Sequence, residues 1–351
     1  MQASEISSAL SRLWDSLEGT NKMRASLFNL LVVAPKNSRS EYVHQITHKV
    51  LKRFPSRVIS IAIDSTLSPD HLETHVSLIP GARGEYDIVC DSISLEVSPQ
   101  SLDKVPFIIL PHLLPDLPIY LLWADDPVKG SSLPNPLTKW MTRMIFDSEV
   151  ADNLPSFAKA LLDYHETTHC DIADLSWART ENWRELLSST FYSPERLFAL
   201  QNASKITITY NSHETPFFCH TKIQALYLQA WLASQLGWKL TSTEPSHFTY
   251  HNLEITLKAD QNPKLPPGTV ISLDILTPTK THFSFSRDPA HPHQIRTIIC
   301  DVEKCEIPSK YIFTKSQTGL SLVNEIYHTG TSPHFLKVLS FLKNWDVKCL
   351  S

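Results

Sequence analysis

The chain reads as two domains in series: an α/β N-terminal domain with a mostly parallel sheet, then an α+β C-terminal domain with an antiparallel sheet. Three observations carry this expectation. The 351 residues suffice for two cores, and 42% apolar with 19% charged residues is an ordinary globular composition. In the first half, near-continuous apolar runs alternate with helical periodicities, as buried parallel strands and their crossover helices do. In the second half the strand-like segments alternate strictly between apolar and polar residues, the mark of a sheet with one wetted face.

Ile6, Leu10, Leu13, Trp14 and Leu17 share one helical face, and Gly19 stops that helix. Residues 24–33 form a continuous apolar run of strand length. Ser38 and Glu41 have capping-box spacing for a helix carrying Val43, Ile46, Val50, Leu51 and Phe54, and residues 57–63 return as a second buried strand. Strand, helix, strand is a crossover unit of a parallel sheet. Shorter strands are expected at 86–90 and 94–97, a stronger one at 119–123, and another at 142–147 after a helix around 137–141. A helix over 154–164, with Phe157, Leu161 and Leu162 inward, closes the first domain, taken as 1–171.

Residues 172–203 read as a helical junction. From Trp183 the apolar positions Leu186, Leu187 and Phe191 recur at helical spacing, and Thr180 with Glu181 supplies a helix start. The second domain, 204–351, has expected strands at 205–210, 252–258, 270–276, 281–286 and 294–302, with a turn at Pro266-Pro267-Gly268. Its helices are expected at 220–236, stopped by Gly237, and at 320–327 and 333–344.

Charge and composition exclude several classes. A formal charge of -4 provides no basic field for nucleic acid or anionic lipid. No cationic segment followed by an apolar core opens the chain, and no run approaches the ~20 apolar residues of a membrane span, so a cytoplasmic protein is expected. The six cysteines, at 90, 170, 219, 300, 305 and 349, are spaced as reduced thiols are.

After the first long strand comes Ala34-Pro-Lys-Asn-Ser-Arg-Ser, without the glycines that let a backbone approach a pyrophosphate; Gly81-Ala-Arg-Gly84 reads as a turn. No glycine-flanked serine elbow is present, and Asp125-Asp126, at a strand carboxyl end, lacks an identifiable partner acid or base. His165, His169 and Cys170, or His291 and His293, lack a full ligand set, so no metal and no cofactor are expected. Cys300 and Cys305 have two open readings: redox thiols, if residues 301–304 bend the chain back into disulfide reach, or two unrelated thiols near a sheet edge. Trp123, Trp177, Trp183, Arg179, Arg184, Asp174 and Asp116 form a set with two open readings. Trp and Arg at such spacing anchor cores or domain junctions, and they also dominate partner-binding surfaces.

The segments Asp174-Leu-Ser-Trp-Ala-Arg-Thr-Glu-Asn-Trp-Arg-Glu-Leu-Leu and Leu114-Pro-Asp-Leu-Pro-Ile-Tyr-Leu-Leu-Trp-Ala-Asp-Asp-Pro127, with Arg24-Ala-Ser-Leu-Phe-Asn-Leu and Arg143-Met-Ile-Phe-Asp-Ser148, resemble the OpcA family. These are glucose-6-phosphate dehydrogenase assembly proteins. The resemblance implies a non-catalytic bacterial cytosolic protein that binds glucose-6-phosphate dehydrogenase and promotes its active oligomer, raising flux into the oxidative pentose phosphate pathway. It also implies a link to thiol redox state, which cyanobacterial members show; whether Cys300 and Cys305 carry it stays open. Two other classes remain as alternatives. One is an enzyme acting on a sugar phosphate at the carboxyl edge of the first sheet. The other is a carbohydrate- or peptide-binding module on the wetted face of the second, where His282, Ser284 and Ser286 alternate with Phe283 and Phe285.

Overall fold

Two apolar runs, Asn29–Pro35 and Arg57–Ile63, pair side by side in parallel, and the first sheet extends outward from them. A computed structural model describes residues 3–83, 87–129, 135–217, 219–314 and 319–345. The chain divides into two compact units, one made of Met1–Val150, Asp163–Leu175 and Thr318–Thr331, the other of Ala151–Leu162, Ser176–Gln317 and Ser332–Ser351.

In chain order the first sheet and its helices are α1 (Ala3–Asp15), β1 (Lys22–Arg24), β2 (Asn29–Pro35), α2 (Ser40–Arg53), β3 (Arg57–Ile63), β4 (Leu72–Arg83), β5 (Asp87–Val97), α3 (Val105–Ile109), β6 (Ile119–Trp123), α4 (Asn135–Thr138), β7 (Arg143–Phe146), α5 (Leu154–Thr168) and β8 (Asp171–Asp174). The strand order is β1-β5-β3-β2-β6-β7-β8, all parallel, with β4 antiparallel on β5. Within it, β5-β3-β2-β6-β7-β8 is the doubly wound order whose two halves diverge from a switch point, here between β2 and β6. Leu30, Leu31, Ile59, Ile93, Leu121, Leu122, Ile145 and Phe146 are completely buried, as strands covered on both faces require.

Several local expectations are corrected. The run 24–33 is two strands, β1 and β2, because Asn29 starts β2 from a side-chain clamp: its Oδ1 accepts from Leu114 N–H (2.8 Å) and its Nδ2 donates to Leu114 O (3.1 Å). Arg24 is drawn instead to Asp91. No capping box forms at Ser38 and Glu41, since Asn37 Oδ1 takes the Arg39 N–H (2.9 Å) and Ser40 Oγ takes the Asn37 N–H (3.1 Å). The short strands at 86–90 and 94–97 are one strand, β5, in a hairpin with β4. That partner strand buries little apolar surface and so leaves no periodicity in the sequence. Gly84 of the expected turn lies outside the described residues.

The second unit's sheet and helices are α6 (Leu175–Arg179), α7 (Glu181–Thr190), α8 (Pro194–Gln201), β9 (Lys205–Asn211), α9 (Ile223–Leu236), β10 (Leu240–Glu244), β11 (His247–Tyr250), β12 (Leu253–Asp260), β13 (Val270–Leu276), β14 (His282–Arg287), β15 (Gln294–Cys300) and β16 (Ser309–Ile312), then α10 (Leu320–Tyr327) and α11 (Pro333–Leu342). Of the last two, α10 clusters with the first unit. Strand order is β10-β11-β12-β9-β13-β14-β15-β16, antiparallel throughout except β9 beside β12. One face carries Ile206, Ile208, Leu273, Ile275, Phe283, Phe285 and Ile295, all buried. Helix α9 is buried almost all round and ends at Gly237, whose φ of 70° suits a glycine C-cap. Strand β15 ends at Cys300, short of the expected 302, where a tight turn begins. No described helix is long and apolar enough to cross a membrane.

At the amino end of the first sheet Asp91, 1% exposed, accepts from Trp14 Nε1 (2.8 Å), Arg57 Nε (3.1 Å) and Arg24. Burial pushes its pKa up, but the hydrogen bonds from Arg24, Arg57 and Trp14 outweigh burial and hold it below the ordinary carboxylate value. A carboxyl depressed on folding contributes stability above its unfolded pKa of roughly 3.9, lost as pH falls through the lower folded value. Asp91→Asn is therefore expected to unfold more readily at pH 7 and to show a flatter acid limb below about pH 4, read from urea midpoints across pH.

Candidate functional site

In a doubly wound sheet, ligands bind at the carboxyl ends of the strands beside the switch point. Here Arg39, where a nucleotide-binding loop needs glycine, folds inward at 3% exposure. Its guanidinium reaches from the loop after β2, across the end of β6, to the loop after β7, where it donates to Asp147 Oδ2 (2.6 Å) and Glu149 Oε2 (3.2 Å). Both carboxylates are buried, and Tyr42 packs 5.1 Å from the guanidinium carbon. Asp174 completes the arrangement from the end of β8, accepting the Ser148 N–H (2.8 Å) and Oγ–H (2.9 Å). Lys36, on the same loop, is held by Glu96 (2.8 Å) and Asp64 (3.3 Å), hydrogen bonds that raise its pKa. Side chains thus occupy the place where this topology receives a phosphate.

The residues singled out from the sequence separate into inner and outer ones. Trp123 is completely buried in the first unit, 5.8 Å from Phe146 and 5.6 Å from Tyr164, and Asp174 is buried as described. In the second unit Trp177 stacks on Phe335 at 5.4 Å and meets Tyr227 edge-on, while Trp183 meets Phe313 at 5.2 Å. The Arg184 guanidinium lies 3.5 Å above the Trp177 ring centre and donates to Trp177 O (2.6 Å) and Thr180 Oγ1. Arg179 and Arg184 are half-buried, and Arg179 donates to Ser176 Oγ (3.4 Å). Asp116 is exposed in a left-handed turn (φ 61°). The indoles are thus core anchors, and Asp116, Arg179 and Arg184 are the members that reach solvent. Composition and spacing did not point to Arg39, Asp147 and Glu149. An arginine in place of the loop glycine was the available signal.

Cys300 and Cys305 form a disulfide, with Cα atoms 4.0 Å apart. Asp301 Oδ1 accepts the Glu303 and Lys304 N–H groups (2.8 Å each), and these backbone bonds lower its pKa while shaping the turn between the cysteines. Cys90 and Cys170 are buried, and burial pushes the Cys170 thiol up to about 12; Cys349 lies outside the described residues. Among the described residues no three His, Cys, Asp or Glu side chains converge as a metal site; His165 Nδ1 instead bonds Cys170 O (2.9 Å). Asp125 and Asp126 accept N–H groups of their own turn. A cleft of about 670 Å³ in the second unit, between the end of α9, β10 and the end of α11, contains one charged lining residue, Lys239. On the wetted face of the second sheet stand His282, Ser284 and Ser286; Phe283 and Phe285 point the other way and are buried.

A family profile described as glucose-6-phosphate dehydrogenase subunit N-terminal domain matches residues 47–162, and one described as the C-terminal domain matches residues 170–333. A protein named OxPP cycle protein OpcA from Synechococcus elongatus is 27% identical over 63% of this chain and 48% of its own length. Its namesake from Nostoc punctiforme is 27% identical over 59% and 43%. The chain spans about half or less of the curated relatives it matches. Aldose-aldose oxidoreductase of Caulobacter crescentus aligns over 90% of this chain and 96% of its own at 12% identity and a TM-score of 0.46, a likeness too distant to bear on function.

Arg39→Met leaves Asp147 and Glu149 buried beside an apolar chain. Removing one partner of a buried ion pair costs about 3–5 kcal/mol, so a fall of that size in unfolding free energy is expected. The check is urea denaturation followed by near-ultraviolet circular dichroism.

Proposed function

Because the chain belongs to the OpcA family, we propose that it is a non-catalytic assembly factor that binds glucose-6-phosphate dehydrogenase and favours its active oligomer, in the oxidative pentose phosphate pathway. The observation that carries this reading is the ordered match of both dehydrogenase-subunit profiles, 47–162 then 170–333. The physical requirement is modest: an activator needs only a higher affinity for the enzyme's active state than for its inactive one.

Two features of the molecule support a binding role over catalysis. Arg39, Asp147 and Glu149 fill the strand ends where a sugar phosphate would have to enter. On β14 of the second sheet the aromatic side chains, Phe283 and Phe285, face the core and offer a carbohydrate no platform. Asp116 on the first unit, and Arg179 and Arg184 on the second, are each assigned to partner contact; Trp123 and Asp174 in the first unit, and Trp177 and Trp183 in the second, are assigned to holding the elements that present them.

The test is the rate and oligomer distribution of the same organism's glucose-6-phosphate dehydrogenase with and without an equimolar amount of this protein. A shift to a larger assembly with a higher rate is expected; no co-migration and no rate change would reject the assembly role. Run with and without a dithiol reductant, the assay also addresses the thiols. A redox difference abolished by Cys305→Ser assigns the Cys300–Cys305 disulfide to regulation, whereas equal activation makes it a structural clamp. With Arg179→Ala, normal folding and undiminished binding would remove Arg179 from the contact surface.

A further inference from the structure

The two sheets end differently. At β8, the last strand of the first sheet, the outward Ile172 N–H is taken by Thr331 Oγ1 (2.8 Å), and Arg143 ties the same segment through His328 O and Gly330 O. That edge is covered, as exposed strand edges normally are. Strand β16 pairs with β15 alone among the described residues. The Phe313 N–H donates to His293 O, which makes 293/313, 295/311 and 297/309 the hydrogen-bonded pairs and turns the N–H and C=O of Lys310 and Ile312 outward. Residues 301–310 are all exposed, and Ile312 is 70% and Ile307 93% exposed.

The side chains at this edge restrict what can pair with it. Arg296 and Lys310 stand directly opposite one another on the wetted face, both exposed; Lys310 Nζ donates to Gln294 Oε1 (3.5 Å) and feels the Asp288 carboxylate electrostatically, but among the described residues neither cation forms an ion pair. Like charges so placed repel. Pairing two copies of β16 would gather four cations, so the edge disfavours a second copy of this chain. An incoming strand with a carboxylate beside Lys310 and an apolar side chain beside Ile312 relieves the repulsion and covers the exposed apolar surface.

We propose that the outer edge of β16 is a strand-addition site for an extended, acidic and apolar segment of the partner enzyme, which enters as a ninth strand of the second sheet. This rests on the assembly-factor reading above. Main-chain hydrogen bonds to Lys310 and Ile312 supply affinity, and Arg296 with Lys310 supplies selectivity.

The experiment measures binding of the wild-type chain, Ile312→Pro, Lys310→Glu and Ile307→Ser to the same organism's glucose-6-phosphate dehydrogenase by biolayer interferometry, with circular dichroism as the fold check. Ile312→Pro deletes an outward N–H and spares the inward ladder at Tyr311 and Phe313; a loss of affinity of tenfold or more is expected. Lys310→Glu, which leaves the backbone intact should the proline variant misfold, is expected to weaken binding at low salt, with the difference shrinking as salt rises. Wild-type binding with all folded variants unaffected overturns the edge assignment and leaves the assembly role standing. A wild-type chain that does not bind the enzyme overturns both. Concentration-dependent self-association lost in Ile312→Pro would give the edge to a second copy and overturn the proposal.

Discussion

A guanidinium buried at the carboxyl ends of a parallel sheet sets what the first unit can be. Arg39 cannot sit at 3% exposure without compensation, because desolvating a charge costs several kcal/mol, and it obtains that compensation from two carboxylates on the loop after β7. Asp174 then fixes that loop through both the N–H and the hydroxyl of Ser148. Three strand ends, those of β2, β7 and β8, are tied by side chains where a nucleotide-binding sheet of the same topology uses bare backbone and a bound anion. The strand order is of that kind and the strand-end loop is not.

The second unit is organised by burial. One face of its eight-stranded sheet carries the aromatic and aliphatic positions that cover α9 and the helices before it; the other is mostly polar, with Leu276 and Ile312 exposed on it. Trp177, Trp183 and Arg184 belong to this packing: the indoles are buried, and the guanidinium of Arg184 stacks on Trp177 while bonding its carbonyl. The same aromatic and Arg content that marks interfaces also marks cores, and position in the fold, which the sequence does not display, decides between them.

How much of this was legible follows from how each element earns its stability. Strands such as β3, β6 and β13 were read with their true bounds because burial on one or both faces imposes a pattern on the residues themselves. Strands β4, β10, β11 and β16 went unread because they are short or bury little, so their register is imposed by neighbours. Strand β1 was merged with β2 because the break between them depends on Asn29 clamping Leu114, a contact across 85 positions of sequence. The Arg39 cluster was invisible for the same reason: each ion pair joins residues more than a hundred positions apart. The Cys300–Cys305 pair was legible as a possibility because its closure is local, through the turn that Asp301 builds.

The proposed assembly role draws on two features, the filled strand ends of the first sheet and the exposed edge of the second. The strand ends of the first sheet hold buried charges paired with one another across β2 and β7. Recognition requires groups left unsatisfied in the free chain. Such groups are found on the second sheet, where two exposed cations face each other without an ion-paired carboxylate among the described residues and a strand edge presents its backbone to solvent. Such an arrangement is tolerated at little cost in the free protein because water solvates exposed charges and peptide groups well. It becomes selective only when a partner strand excludes that water, since the desolvated edge and its cations then demand hydrogen bonds and a carboxylate in return.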